Sequence, residues 1–228
     1  MRRLILFGLV LAVLWGAGMP VGAEAEVIYR SAAKTEQLRV ALTFDDGPHP
    51  KYTPQILKIL KENNVAATFF AVGTNVEAYP ALIKQIVEEG HELNNHTFNH
   101  NHVGKMSADA LEKDIRTCND TIQRISGVCP RYFRPPEGVC NCDVKEICGD
   151  LNMKIVMWSV DTRDWAHTPI EEICRNVKQN TQNGSIILMH DFIGKNSPTP
   201  EALRQIIPML RELGFEFVTV SQLLGEGA

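Results

Sequence analysis

The chain has 228 residues, 44% of them hydrophobic and 22% charged, with 16 Gly and 12 Pro. That composition describes one sizeable globular domain and excludes collagen-like, coiled-coil and disordered chains. The 23 Lys and Arg against 27 Asp and Glu leave a formal charge of -4, so no basic excess exists to hold a phosphate backbone, and nucleic acid is set aside as a partner.

In chain order, residues 1–25 read first as a targeting segment. Arg2 and Arg3 precede an apolar run from Leu4 to Trp15, and small residues follow at Ala23 and Ala25, the pattern of a secretory signal peptide. Ala23-Glu24-Ala25 fits the cleavage rule, and Val21-Gly22-Ala23 offers an earlier cut. The competing reading is an uncleaved membrane anchor, because Leu4 to Met19 falls only slightly below the roughly 17 to 25 residues of a spanning helix. Either reading places the domain outside the cytoplasmic membrane, secreted or in the cell envelope. Beyond it, short apolar runs alternate with stretches of helical period, the pattern of a mainly parallel sheet covered by helices. Strands are expected at 40–44, 67–72, 92–95, 132–134, 155–160, 185–189 and 217–220. Helices are expected at 53–63, 76–89, 107–125, 143–151, 169–179 and 199–213. Ser107, Thr168 and Thr199 are start signals, Gly90 and Gly214 are stops, and Pro208 is expected to kink or divide the last helix. No repeat or linker interrupts a single domain over about 38–224.

All six cysteines, at 118, 129, 140, 142, 148 and 174, follow the targeting segment. An even count in an exported chain predicts one to three disulfides around Cys129 to Cys148, with the pairing left open. The competing readings are free buried thiols and a zinc site from Cys140, Cys142 and Cys148, whose one-residue spacing is unlike that of zinc knuckles.

In parallel α/β folds functional groups collect at the C-terminal ends of strands. The first expected strand ends in Thr43-Phe44-Asp45-Asp46-Gly47-Pro48, two adjacent carboxylates in a turn, where turn chemistry alone is one explanation. His96-Thr97-Phe98-Asn99-His100 follows the third strand, and its four-residue interval places both imidazoles on one face of a helical turn, as binding one metal ion requires. Two imidazoles and one carboxylate make a three-ligand site with open positions, leaving the other Asp free as a base. His190 ends the strand 185–189. Asp161, after the strand that reaches Val160, is placed to hold it protonated as a general acid, and Arg134 to pair with the spare carboxylate.

These five segments resemble the motifs of the polysaccharide deacetylase family, also called the NodB homology domain or carbohydrate esterase family 4. The resemblance covers about residues 38–224. It implies that Asp45 is the catalytic base, that Asp46, His96 and His100 hold a metal ion, and that Arg134, opening a segment R-x-P-x-G-x-x-N that ends at Asn141, orients the base. Asp161-Thr162-Arg163-Asp164-Trp165 fits D-x-x-D-W, with Asp161 orienting His190, and Leu188-Met189-His190 fits the last motif. Glu137 stands where the family often has Tyr, and its backbone N–H is expected to face an oxyanion. Trp165 and Leu188 are expected to pocket the acetyl methyl group. The implied fold is a distorted (β/α) barrel with about seven parallel strands. The implied activity is metal-dependent removal of N-acetyl groups from polysaccharide containing N-acetylglucosamine, with peptidoglycan ahead of chitin-type oligosaccharide. An O-acetyl polysaccharide esterase of the xylan type and a non-catalytic carbohydrate-binding relic are the alternatives. Two His and one Asp accept zinc, the first choice, or cobalt, manganese or nickel. His91 and His102 lack the ligand spacing and are expected to face solvent or neighbouring side chains, His49 lies near the carboxylate turn, and His167 is expected to be exposed.

Overall fold

Strands and helices alternate along residues 24–32 and 37–226, the part of the chain that the computed structural model describes. The targeting segment therefore lies almost wholly outside the described residues. The first half comprises β1 (Val27–Ile28), β2 (Arg39–Asp45), α1 (Tyr52–Glu62), β3 (Thr68–Ala71), α2 (Gly73–Ala78), α3 (Pro80–Glu88), β4 (Glu92–Asn95) and α4 (Ala108–Ser126). Next come β5 (Tyr132–Phe133), α5 (Cys142–Asp150), β6 (Lys154–Val156), β7 (Val160–Asp161) and α6 (Ile170–Asn180). The chain closes with β8 (Ser185–His190), α7 (Thr199–Glu212), β9 (Glu216–Phe217) and α8 (Val220–Leu224).

The strands pair side by side in the order β1-β6-β5-β4-β3-β2-β8-β7, with β9 also on β2, and every named pair is parallel. Strands β6 and β7 belong to opposite sides of that path, yet only residues 157–159 separate them. The sheet must therefore curl until its two sides meet along one stretch of chain, and the result is the distorted (β/α) barrel that the resemblance implies. Six of the seven expected strands coincide with observed ones, 155–160 being divided into β6 and β7, whereas 217–220 is strand only at Phe217, where β9 ends, because Thr219 caps α8 and Val220 opens it. The sheet also takes in β1, upstream of residue 38, and a bridge from Arg30 to Ser185.

Period-two alternation decides what each strand sends to either face. On β2, Val40, Leu42 and Phe44 join the core beneath the helices, while Ala41 joins the smaller cluster inside the barrel with Phe70, Tyr132, Val156 and Ile186. Thr43 and Asp45 continue the inward set. On β8, Ile187 and Met189 face the helices, so Ile186, Leu188 and His190 face inward. Arg134 follows from inward Tyr132 in the same way, and His96 from Asn94. The interior is thus apolar at one end and ionisable at the other.

Helix signals held in part. The Ser107 hydroxyl accepts from the Ala110 N–H as the N-cap of α4, and Gly90 and Gly214 adopt φ of 83° and 87° where their helices stop. Thr168 caps nothing; its hydroxyl donates to the Arg163 carbonyl. Thr199 likewise donates to Asp164 rather than capping α7. The stretch 76–89 divides into α2 and α3 because Pro80 opens a new helix. Helix α7 runs undivided through Pro208, held on both sides of it by buried Leu203, Ile206, Ile207 and Leu210. Among the described residues no helix is long and apolar enough to cross a membrane.

The disulfides expected around Cys129 to Cys148 are absent: all six cysteines are free. Cys118 and Cys148 are instead buried as small apolar residues within two separate core clusters, and burial raises the pKa of both thiols. Cys129 and Cys142 are exposed.

Replacement of Ile187, fully buried on a central strand, by Ala is expected to cost about 2–5 kcal/mol, whereas Ser107→Ala removes one cap worth about 0.5–2 kcal/mol. Urea denaturation of the two variants checks this order.

Candidate active site

At the C-terminal ends of β2, β4, β5, β7 and β8, the inward residues surround a cavity of about 410 Å³ lined by Asp45, Asp46, His96, His100, Glu137, Asp161, Trp165, Leu188 and His190, with Pro135, Gly138 and Trp158. Every site residue expected from sequence lines it except Arg134, which lies beneath.

Arg134 is fully buried, and each of its guanidinium nitrogens is used. Nη1 donates to Asp45 Oδ1 at 2.7 Å and to Thr43 Oγ1 at 2.8 Å, Nε to the Val156 carbonyl, and Nη2 to the Met157 carbonyl. The guanidinium also stacks 4.1 Å from the centre of the Phe70 ring. Such a fork holds the Asp45 carboxylate in one orientation. The Arg134 carbonyl in turn meets His96 Nδ1 at 2.7 Å, so the Nε2 of His96 is left for the cavity.

The next residue, Asp46, has φ 76°, which breaks the strand alternation and turns its side chain toward the imidazoles. Its Oδ1 lies 3.2 Å from His96 Nε2 and 3.0 Å from His100 Nε2. Burial alone would raise the Asp46 pKa, but hydrogen bonds from His100 and His96 outweigh it and hold the carboxyl well below the usual range. One carboxylate oxygen and two imidazole nitrogens thus converge within 4.8 Å of one another, and that donor set fits a divalent cation with positions left open.

The two histidines do not reach this arrangement by a helical turn. Residues 96–100 form a loop in which Thr97 and His100 have φ of 66° and 54°. Asp114, buried on α4, holds the loop by accepting from the Phe98 N–H at 2.7 Å and the Asn99 side-chain amide at 2.5 Å. Gly73 lies against it, and a β-carbon there would overlap the Phe98 ring. The four-residue spacing points to the right pair through the wrong local geometry.

Across the cavity, His190 Nδ1 lies 2.7 Å from Asp164 Oδ1. The expected partner, Asp161, is not the one: its Oδ1 accepts from the Arg163 N–H, while its side chain lines the cavity. Asp164 is fully buried and accepts from the His190 N–H, the Trp165 N–H and the Thr199 hydroxyl besides the imidazole. Burial disfavours the imidazolium, but the Asp164 hydrogen bond and charge, with Asp45 and Asp46 behind, push the His190 pKa up to about 9. The 3-10 turn after Arg163, with the chain at φ 57°, is what brings the second Asp of D-x-x-D-W rather than the first under His190.

Residues 32–156 match the sequence model of the family described as polysaccharide deacetylase. The chain belongs to this family. It is 42% identical over 187 residues to a peptidoglycan-N-acetylglucosamine deacetylase of Bacillus cereus, covering 81% of this chain and 87% of the relative. A chitooligosaccharide deacetylase of Azorhizobium caulinodans is 34% identical, covering 78% of this chain and 91% of that protein. Among solved structures, the Bc1960 peptidoglycan N-acetylglucosamine deacetylase superposes with a TM-score of 0.84 at 36% identity, over 90% of this chain and 94% of that one. A family 4 pseudoenzyme from Bacillus anthracis superposes at 0.81 with 32% identity, over 88% and 69%. Family membership therefore supplies a deacetylase fold, and the side chains present decide whether it is equipped for chemistry.

Sequence reasoning passed over Trp158, whose ring packs over Gly138 and the Arg134 guanidinium, and Asp191, buried directly after His190. Trp158 lies between two strands too short to show alternation. Asp191 carried a signal, a charged residue following an apolar strand, that was masked by the histidine before it. His91 is buried rather than solvent-facing, with Nδ1 accepting from the Ala67 N–H, and His102 Nε2 lies 3.5 Å from Glu137 Oε2 at the cavity rim. His49 accepts from the Lys51 and Tyr52 N–H groups, and His167 is exposed.

Two outcomes follow from these contacts. In Asp164→Asn the His190 imidazole should lose its proton well below pH 9, moving toward the ordinary histidine value of about 6.5, while Asp161→Asn leaves it nearly in place; proton NMR titration distinguishes them. Arg134→Ala leaves the buried Asp45 charge unpaired and is expected to cost about 3–5 kcal/mol, read by chemical denaturation.

Proposed function

We propose that this chain is a divalent-metal-dependent hydrolase that removes N-acetyl groups from polysaccharide containing N-acetylglucosamine, with peptidoglycan ahead of chitin-type oligosaccharide. The observation that carries the reading is the pairing, across one cavity, of a carboxylate clamped by Arg134 and an imidazole held protonated by Asp164, with the Asp46, His96 and His100 donors between them. Bound there, a divalent ion, with zinc the first choice and cobalt, manganese or nickel also suited to the donors, supplies Lewis acidity toward a carbonyl and a more acidic water.

The chain's own residues account for the proton movements. Asp45, oriented by Arg134, takes the proton of the attacking water. Attack on the acetamide carbon gives a tetrahedral oxyanion, for which the backbone N–H of Glu137, on the cavity wall, is the assigned donor. His190 donates its proton to the departing nitrogen, and Asp164 keeps the imidazole in the tautomer and orientation that this requires. Trp165, half exposed, and Leu188, buried, bound the space for the acetyl methyl group. Acetate and a free amino sugar leave.

The catalytic domain, about 38–224 together with the upstream β1 segment that its sheet takes in, acts outside the cytoplasmic membrane, in the cell envelope or secreted, which suits a wall polymer as substrate. If the targeting segment is cleaved, the cut after Ala23 is the better supported, because the Ala25 N–H donates to the Lys145 carbonyl at 2.9 Å and Ala25 packs against the core beneath α5.

The test is acetate release from isolated peptidoglycan and from N-acetylglucosamine oligomers, with chelator and then with zinc or cobalt restored, alongside matched O-acetyl xylan. Chelator-sensitive, metal-restored release from the N-acetyl substrates is expected, and Asp45→Asn should lower it by about 100-fold or more, the share general-base catalysis commonly supplies. Release from the O-acetyl substrate alone would make the enzyme an esterase, and binding without turnover would make it a carbohydrate-binding relic.

A further inference from the structure

Asp191 is buried to 1% exposure at the end of β8, and the proton movements above leave it no part. Its N–H donates to the Asp45 carbonyl at 3.1 Å, adding one rung to the β2·β8 ladder beyond the Asp45 and His190 pair. Its side chain then turns under the chain at Gly47, in the turn that carries Asp46. The fit is close: a β-carbon on Gly47 would overlap both carboxyl oxygens of Asp191. Oδ2 accepts from the Thr53 hydroxyl at 2.5 Å, and that hydroxyl accepts from the His49 N–H at 2.7 Å. A chain of hydrogen bonds thus runs from the end of β8 through the first turn of α1 back into the Asp46 turn. From the opposite side the turn is held by the Val72 N–H on the Gly47 carbonyl and the Asn75 amide on the Asp46 carbonyl.

Oδ1 of Asp191 has no hydrogen-bond partner although solvent does not reach it. A third carboxyl buried beside Asp45 and Asp46 is expensive; burial first, and then those two charges, push its pKa up to about 7. An apolar residue of the same size would avoid that cost, so stability does not explain a polar group here, whereas its contacts converge on the turn that bears the base and the carboxylate ligand. Local rules of this kind are broken at working sites.

We infer that Asp191 is a positioning residue: its carboxyl, clamped between the Gly47 backbone and the Thr53 hydroxyl, sets where the Asp46 carboxylate stands relative to His96 and His100. The inference rests on the metal-dependent reading of that triad, and its first readout needs no substrate.

Affinity for cobalt and zinc is measured by competition with a chromophoric chelator in the wild-type chain and in Asp191→Ala, Asp191→Asn and Thr53→Val. Asp191→Ala should bind metal about tenfold or more weakly, the range seen when a group supporting a ligand is removed. Asp191→Asn keeps an oxygen for Thr53 and a planar head under Gly47, and should stay within about threefold of wild type, since the hydrogen-bond geometry is retained. Thr53→Val should weaken binding in the same direction as Asp191→Ala. At saturating metal, kcat for acetate release should fall in Asp191→Ala with KM unchanged. Wild-type affinity in folded Asp191→Ala overturns the inference, as does Asp191→Asn binding as weakly as Asp191→Ala. Should Asp191→Ala not fold, wild-type affinity in Thr53→Val overturns it instead. An inactive wild-type chain would sink the deacetylase reading while leaving the metal measurements decisive.

Discussion

The guanidinium of Arg134 is the constraint on which the rest of the site depends. A buried cation is costly unless its donors are satisfied and a counter-charge is near, and this one meets both conditions inside the barrel: Asp45, Thr43 and two strand-end carbonyls take its hydrogens, and Phe70 covers its face. Because the same residue's carbonyl faces His96, its main chain orients that imidazole while its side chain orients the Asp45 carboxylate. Two side chains on different strands are therefore fastened to one residue at the end of one short strand.

Asp164 plays the corresponding part on the far wall. It accepts four hydrogen bonds, from His190 twice, from Trp165 and from Thr199, so its charge is fully compensated and its position over-determined. One of those donors begins α7 and another lies on the wall of the cavity. The His190 side of the site is consequently coupled to the packing of a helix, and the Asp45 side to the closure of the sheet.

Much of this was legible in the sequence, for identifiable reasons. Strands such as Arg39–Asp45 and Ser185–His190 are long enough for a period of two to show, and that period alone delivers Asp45 and His190 to the same interior. The two-residue strands Val27–Ile28 and Val160–Asp161 carry no period, so β1 was missed and β7 merged with β6. Asp161 and Asp164 are equally good carboxylates at similar spacing from the preceding strand; only the left-handed backbone at Arg163, invisible in composition, selects between them. The six cysteines suggested covalent staples because export permits them, but Cys118 and Cys148 lie on the buried faces of α4 and α5, where a thiol packs as a small apolar group.

The seam between β6 and β7 has a kinetic meaning. Two acceptors of the Arg134 guanidinium, the carbonyls of Val156 and Met157, lie on or beside that seam, while Asp45 comes from β2, in the other half of the sheet order. Their meeting requires pairings between stretches more than a hundred residues apart, the kind of contact whose loop-closure entropy slows folding. A chain that has collapsed but not yet closed therefore carries its acidic and basic residues without the alignment between them. The assembled site arrives with the final topology, and an emerging chain has no such centre on the way.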